Sequence, residues 1–148
     1  MSDDKDPKLA LFQLYLGTAE KVSDRRALAN TWMLSVNSAI IGLYGYLQAG
    51  KIPIPNLQKP LWLWAIPAAG AIVSVAWTSL LSSYRKLNRA KFAVLQELES
   101  GLGDVAPFKK ERELYKKDGR KSLSDVEMWI PGCFLILYLF LIGANLAR

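Results

Sequence analysis

Three charge-free runs separate the charged parts of this chain. No Asp, Glu, Lys or Arg occurs in residues 27–49, 61–82 or 128–147, whereas the segments between them carry most of the charge. Each run is long enough for an α-helix to cross the hydrocarbon core of a bilayer, which takes about 20 residues. The pattern therefore predicts an all-α integral membrane protein with three transmembrane helices.

The chain is predicted to form one membrane domain over residues 1–148. No Pro or Gly occurs in residues 71–100, so the second span is expected to continue into a long cytoplasmic helix, roughly 60 Å in total. The predicted elements are an N-terminal amphipathic helix (8–28), span 1 (29–49), span 2 (60–83), its cytoplasmic helical extension (84–101), a short cytoplasmic helix (108–117) and span 3 (126–147).

Lys and Arg are unevenly distributed over the predicted connections. Sixteen of the nineteen lie in residues 1–30 and 84–127, which fall on one side of the membrane if there are three spans. Connections rich in Lys and Arg face the cytoplasm. We therefore predict a multi-pass protein of the bacterial inner membrane, with its N-terminus in the cytoplasm and its C-terminus outside.

The chain lacks the side chains that many catalytic and metal-binding sites use. The chain has no histidine and one cysteine, Cys133, which excludes a Ser-His-Asp triad, a His-ligated metal and an intramolecular disulfide. In residues 109–121 the lysines alternate with acidic residues, which weakens any attraction for a nucleic-acid backbone. We expect no catalytic residue, no metal, no cofactor and no nucleic-acid partner, and hence a protein that is not an enzyme.

Small residues recur at helical spacing along span 1. Ser35, Ser38, Gly42 and Gly45 follow steps of three, four and three residues, so they share one face of a helix. Such a face lets a second helix approach closely, and in a homo-oligomer it is also suited to line a narrow polar pore. Both roles stay open. Asn37 lies on another face and needs a hydrogen-bond partner.

Polar side chains concentrate at the predicted cytoplasmic boundary of the membrane. They belong to the start of span 1, the exit of span 2 and the entrance of span 3: Asp24, Arg25, Arg26, Asn30, Asn88, Lys91 and Glu127. One interpretation is that they pair with one another and with lipid phosphate. The other is a ligand or gating site for a small anion, with Arg guanidinium groups as forked donors.

An apolar stripe follows at helical spacing in the charged extension of span 2. It consists of Leu87, Val94, Leu95 and Leu98. Because a helix in water needs a contact surface for such a stripe, we expect it to bind a cytoplasmic protein partner or to pack within the chain.

Short motifs are scattered over residues 24–131. They are Ser23-Asp24-Arg25-Arg26, Asn30, Asn37, Trp77, Tyr84, Leu87-Asn88, Lys91-Phe92, Glu97, Glu111, Tyr115, Glu127 and Pro131. Together they resemble a family of small bacterial inner-membrane proteins, some of which resemble transmembrane effectors encoded beside antiphage-defence systems. The resemblance implies a protein that oligomerises and disturbs the inner membrane when a partner supplies a trigger.

Two functional hypotheses follow. The first is a small oligomeric inner-membrane protein that acts as a pore-forming or membrane-disrupting effector in bacterial defence or stress. The alternative is a non-enzymatic membrane anchor or scaffold that recruits a cytoplasmic partner. Membrane lipids are expected to contact the protein in both cases.

Overall fold

The fold is all-helical in the part of the chain that the computed structural model describes. That part comprises residues 7–55, 58–101, 107–117 and 126–147, without the side chains of residues 112 and 115–117. Four helices occur there, and no strand: α1 (Pro7–Gln48), α2 (Lys59–Ser100), α3 (Pro107–Lys117) and α4 (Trp129–Leu146). The all-α prediction is confirmed for these residues.

Helix α1 is continuous where the sequence analysis divided it into an amphipathic helix and a first span. It ends in a Schellman motif. The amide of Gly50 donates to the carbonyl of Leu47, and the amide of Lys51 donates to the carbonyl of Tyr46, both at 3.1 Å. Gly50 has a φ of 65°, a conformation that glycine adopts without the steric cost of a Cβ.

Helices α2 and α4 are long and apolar enough to cross a membrane. Among the described residues α1 does not meet the same criterion, although it is as long as α2. Polar residues lower the hydropathy of its charge-free part, chiefly Asn30, Asn37 and Gln48. The structure thus gives two candidate spans where the sequence predicts three.

The chain divides into two units. Unit 1 consists of Met1–Ala27 and Ser82–Leu123, and unit 2 of Leu28–Leu81 and Ser124–Arg148. The division falls close to the points where the charge-free runs begin and end. Unit 2 therefore contains the apolar runs, and unit 1 contains most of the charged residues.

Each unit has its own packed interior. In unit 2, Tyr44, Leu47 and Ile66 are buried against partly buried aliphatic side chains, and Trp77 packs on Phe134 with ring centroids 6.1 Å apart. In unit 1, Ala19 and Leu95 are buried, and the partly buried Phe108 ring lies 6.0 Å from the Phe12 ring and 6.2 Å from the ring of Phe92, which is 37% exposed.

Candidate functional site on helix α1 and its polar supports

A buried group of neutral polar side chains joins three helices in unit 2. Asn37, Ser74 and Tyr138 are fully buried. The Ser74 hydroxyl lies 3.1 Å from Asn37 Oδ1 and 3.0 Å from the carbonyl of Gly70. Asn37 Nδ2 donates to the Met33 carbonyl at 2.8 Å, and the Tyr138 hydroxyl donates to the Asn37 carbonyl at 3.1 Å. The hydrogen-bond partner predicted for Asn37 is thus Ser74 of α2. The second partner, Tyr138 of α4, was not predicted from the sequence.

A glycine in α2 makes room for this arrangement. A Cβ added to Gly70 would overlap the ring of Tyr138, which no real side chain tolerates. Glycine at this position is therefore required for the close approach of α4 to α2. Because Gly70 has no side chain, the Tyr138 ring packs directly against α2. In this position its hydroxyl donates to the Asn37 carbonyl.

Further polar contacts lie along the same three helices. Trp77 Nε1 donates to Asn30 Oδ1 at 2.8 Å. Asn145 receives a bond from the Tyr44 hydroxyl at 3.3 Å and donates to the Leu63 carbonyl at 2.9 Å. The amides of α1 and α4 thus hydrogen-bond inside unit 2, which removes the cost of leaving them unsatisfied in an apolar environment.

The small residues of α1 lie on its open side. We call Ser35, Ser38, Gly42 and Gly45 the small ridge; all four are exposed. A Cβ added to either glycine would meet no atom within 4 Å. Unlike Gly70, these two glycines therefore have no packing role among the described residues of this chain.

A second row of exposed residues lies beside the small ridge. Three members directly follow a small-ridge position, the fourth lies about one helical turn before Ser35, and each is more than a third exposed. We call this row, Trp32, Val36, Leu43 and Tyr46, the large ridge. This row was not predicted from the sequence, although bulky residues do stand next to small ones there.

In unit 1, Lys91 contacts residues that the sequence analysis did not associate with it. Its Nζ donates to Thr18 Oγ1 at 2.9 Å and lies 5.2 Å from the centroid of the Tyr15 ring. The Thr18 hydroxyl donates in turn to the Tyr15 carbonyl at 2.7 Å. Lys91 therefore has a hydroxyl partner and a cation–π contact within its own unit.

Glu99 caps the N-terminus of α3. This carboxylate is nearly fully buried and accepts from the amides of Phe108 and Lys109 at 2.9 and 3.2 Å. A negative charge is favourable there because the first amides of a helix have no partner inside the helix and lie at its positive end. Glu99 was not a predicted site residue, since only the tertiary structure brings it to α3.

The remaining predicted boundary residues belong to both units. Asp24 and Arg25 are exposed, and Arg26 and Glu127 are partly buried. Asn88 is also partly buried, and its Oδ1 is a buried atom without a hydrogen-bond partner among the described residues. Each unit contains some of these residues: Lys91 has partners within unit 1 and Asn30 within unit 2, and Arg26 and Glu127 also form contacts.

The apolar stripe of α2 is partly used inside unit 1. Leu95 is fully buried and Val94 and Leu98 are partly buried, whereas Leu87 is 46% exposed. Leu95 therefore contacts residues of its own chain and is not on a surface that a partner can reach without a change in unit 1.

The polar side chains described above form hydrogen bonds that hold the helices together. In the described ranges no group of three or more Cys, Asp or Glu residues is placed to hold a metal ion, and Cys133 is exposed on α4. The open face of α1, with its small and large ridges, is thus the candidate functional surface, and the buried polar contacts hold it in place.

Comparisons with known proteins identify the family. Residues 9–147 match the profile of the octameric membrane protein family (8xMP). Comparisons with curated proteins and with solved structures give no match. Since the match covers nearly the whole chain, the resemblance to a family of small membrane proteins is confirmed. The chain is an oligomeric membrane protein that belongs to the octameric membrane protein family.

Proposed function

We propose that this protein forms an oligomeric pore in the bacterial inner membrane and acts as a membrane-disrupting effector in defence or stress. The observation that carries the proposal is the open face of α1, on which Ser35, Ser38, Gly42 and Gly45 are exposed and not covered by any described helix. The family description supplies the oligomer that such a face requires. The proposed role is not enzymatic.

The proposal includes α1 as the third span, over residues 29–49. This part of α1 has no charged residue, and the amides of Asn30 and Asn37 are hydrogen-bonded within unit 2. The polar groups that lower its hydropathy therefore do not need to contact lipid. The exposed apolar residues of the other two spans supply the lipid contacts, among them Ile72, Val75, Ile136, Leu139 and Phe140.

The proposed orientation places the N-terminus in the cytoplasm and the C-terminus outside. It rests on the sixteen of nineteen Lys and Arg residues in residues 1–30 and 84–127, because cytoplasmic connections carry the excess of positive charge. Most of these residues belong to unit 1. In this topology unit 1 is the cytoplasmic part of the protein.

One α1 helix from each copy is enough to enclose a path for water. Eight helices whose axes are about 9 Å apart close into a ring of about 12 Å radius, which leaves an opening of about 6 Å radius inside the helices. Three helices of a single chain enclose no comparable space. The opening forms whether the small ridge itself lines it or packs against the next α1.

Ion flux through reconstituted liposomes tests the pore. The wild-type oligomer is expected to release entrapped K⁺, and Gly42→Leu is expected to lower the rate at least tenfold, because a large side chain on the small ridge obstructs the opening or the contact that forms it. Gly143→Leu is the matched control, since Gly143 is an exposed glycine of α4 with no atom within 4 Å of an added Cβ. Equal loss in both variants would contradict a specific role of α1.

Membrane potential in cells tests the effector role. This part of the proposal rests on the resemblance to effectors encoded beside antiphage-defence systems. Expression, alone or during phage infection, is expected to depolarise the inner membrane as measured with a potential-sensitive dye. An unchanged potential in both conditions would remove the effector role, while liposome flux would still report on the pore.

A further inference from the structure

Opposite charges form two exposed rows on the unit 1 part of α1. Glu20 and Asp24 lie one helical turn apart, and Lys21 and Arg25 form the neighbouring row. Like charges four residues apart destabilise a helix by about 0.2–0.5 kcal/mol per pair. The two repulsive pairs are offset only in part by the attraction between Lys21 and Asp24, three residues apart. The remaining repulsion is relieved when the acidic row meets a basic row at the same height on another helix.

The unit 2 part of α1 has a matching difference in size. The small ridge lies beside the large ridge, and Ser35-Val36, Gly42-Leu43 and Gly45-Tyr46 are consecutive pairs of a small and a larger residue. Bulky side chains of one helix fit closely against small residues of another, which is the packing that drives helix association in membranes. The small ridge lacks bulky side chains and the large ridge lacks small residues, so a close contact of this kind needs both ridges.

The glycines of the small ridge give an independent reason to place another chain there. Glycine in a helix interior is about 1 kcal/mol less favourable than alanine, and Gly42 and Gly45 offer no compensating contact among the described residues. Since no described residue of the chain fills the space beside them, this space is open to a group from another molecule. A second copy carries the bulky row that fits.

We propose that parallel copies of this chain associate head to tail through α1, which means that one face of each α1 contacts a different face of the next α1. In each unit the first row of one copy contacts the second row of the next: Glu20 and Asp24 meet Lys21 and Arg25, and the small ridge meets the large ridge. A two-fold contact centred between the rows would pair them in the same way, but it would be complete with two copies and could not extend to eight. A head-to-tail contact leaves one row of each pair free for the next parallel copy, and it forms a ring when the rotation between copies closes, as an octamer requires.

Charge exchange tests the contact in unit 1. The variant Glu20→Lys with Asp24→Lys has two basic rows, and Lys21→Glu with Arg25→Glu has two acidic rows. Each is expected to lose at least 90% of the octamer on its own, as measured by light scattering of the detergent-solubilised protein. Co-expression of the two, and the variant with all four changes, are both expected to restore it, because acidic and basic rows then meet again.

The outcomes of this experiment are distinct. An octamer that persists in either two-residue variant would overturn the charge contact, and so would failure of co-expression to restore it while both chains are inserted and helical. A wild-type chain that is not oligomeric would contradict the proposed function itself. Wild-type flux with unaffected charge variants would contradict the head-to-tail contact alone.

Cysteine cross-linking tests the contact in unit 2 without relying on detergent. In a Cys133→Ser background, copies with Ser35→Cys and differently tagged copies with Val36→Cys are expected to form a disulfide between unlike copies in native membranes. Each variant expressed alone is expected to give at least fivefold less cross-linked dimer. Equal cross-linking of Ser35→Cys with itself would indicate that the small ridges face one another and would overturn the proposal.

Discussion

Among the described residues, the fully buried polar side chains of unit 2 are neutral, whereas unit 1 contains a buried carboxylate, Glu99, and a partly buried ammonium, Lys91. In unit 2 Asn37, Ser74 and Tyr138 form hydrogen bonds with side-chain and carbonyl groups of three helices. In unit 1 the Lys91 ammonium and the Glu99 carboxylate have partners near the ends and surfaces of helices. Ionised groups cost several kcal/mol in hydrocarbon even when paired, while satisfied amides and hydroxyls cost little. This contrast is the reason why the proposed topology assigns unit 2, and not unit 1, to the membrane.

The glycines of unit 2 show a second contrast. Gly70 is needed inside the chain because the Tyr138 ring occupies the space of a Cβ, whereas Gly42 and Gly45 are open. One glycine thus stabilises the fold, and two belong to a surface. Substitutions can separate the role in the fold from the role at the surface.

Gly70→Ala is expected to lower the free energy of unfolding by about 3 kcal/mol, since the added methyl group forces the Tyr138 ring out of its place. The measurement is a denaturant titration in detergent followed by circular dichroism. Gly143→Ala serves as the control, because its methyl group meets no atom within 4 Å, and it should be neutral or raise the free energy of unfolding by up to about 1 kcal/mol through helix propensity. Similar losses in the two variants would show that the close approach of α2 and α4 does not matter for stability.

Glu99→Ala is expected to cost about 1.5 kcal/mol of stability by removing the cap of α3. The effect should be local to unit 1, so hydrogen exchange at the amides of Phe108 and Lys109 should accelerate at least tenfold. Glu97→Ala is the matched control, because Glu97 is an exposed carboxylate on the same helix. Unchanged exchange at both amides would mean that α3 stays docked without the carboxylate.

Tyr138→Phe has the smallest expected effect, about 0.6 kcal/mol, which is the average for a hydrogen bond between helices in a membrane. It removes the bond to the Asn37 carbonyl and keeps the ring in place. Tyr46→Phe, at an exposed tyrosine, should leave unfolding in detergent unchanged. A loss at Tyr138 as large as that of Gly70→Ala would indicate that the hydroxyl, rather than ring packing, dominates this contact.

The candidate surface was predictable from the sequence only in part. The three- and four-residue steps of Ser35, Ser38, Gly42 and Gly45 identify a shared face, because helix geometry relates positions along one segment. The same geometry does not say whether that face is covered. Leu95 illustrates the point, since its stripe looks like a surface in the sequence and is buried in unit 1.

Four features follow from the sequence alone: the helical class, the long α2, the end of α1 shortly before Gly50 and the need of Asn37 for a partner. Each of these depends on the periodicity, charge or backbone preference of a short segment. The tertiary structure decided that Tyr138, 101 positions further along, donates to Asn37, that Glu99 caps α3, and that the small ridge lies open. These outcomes depend on which side chains fit together between distant segments, and the Gly70–Tyr138 contact shows how one missing side chain can determine that fit.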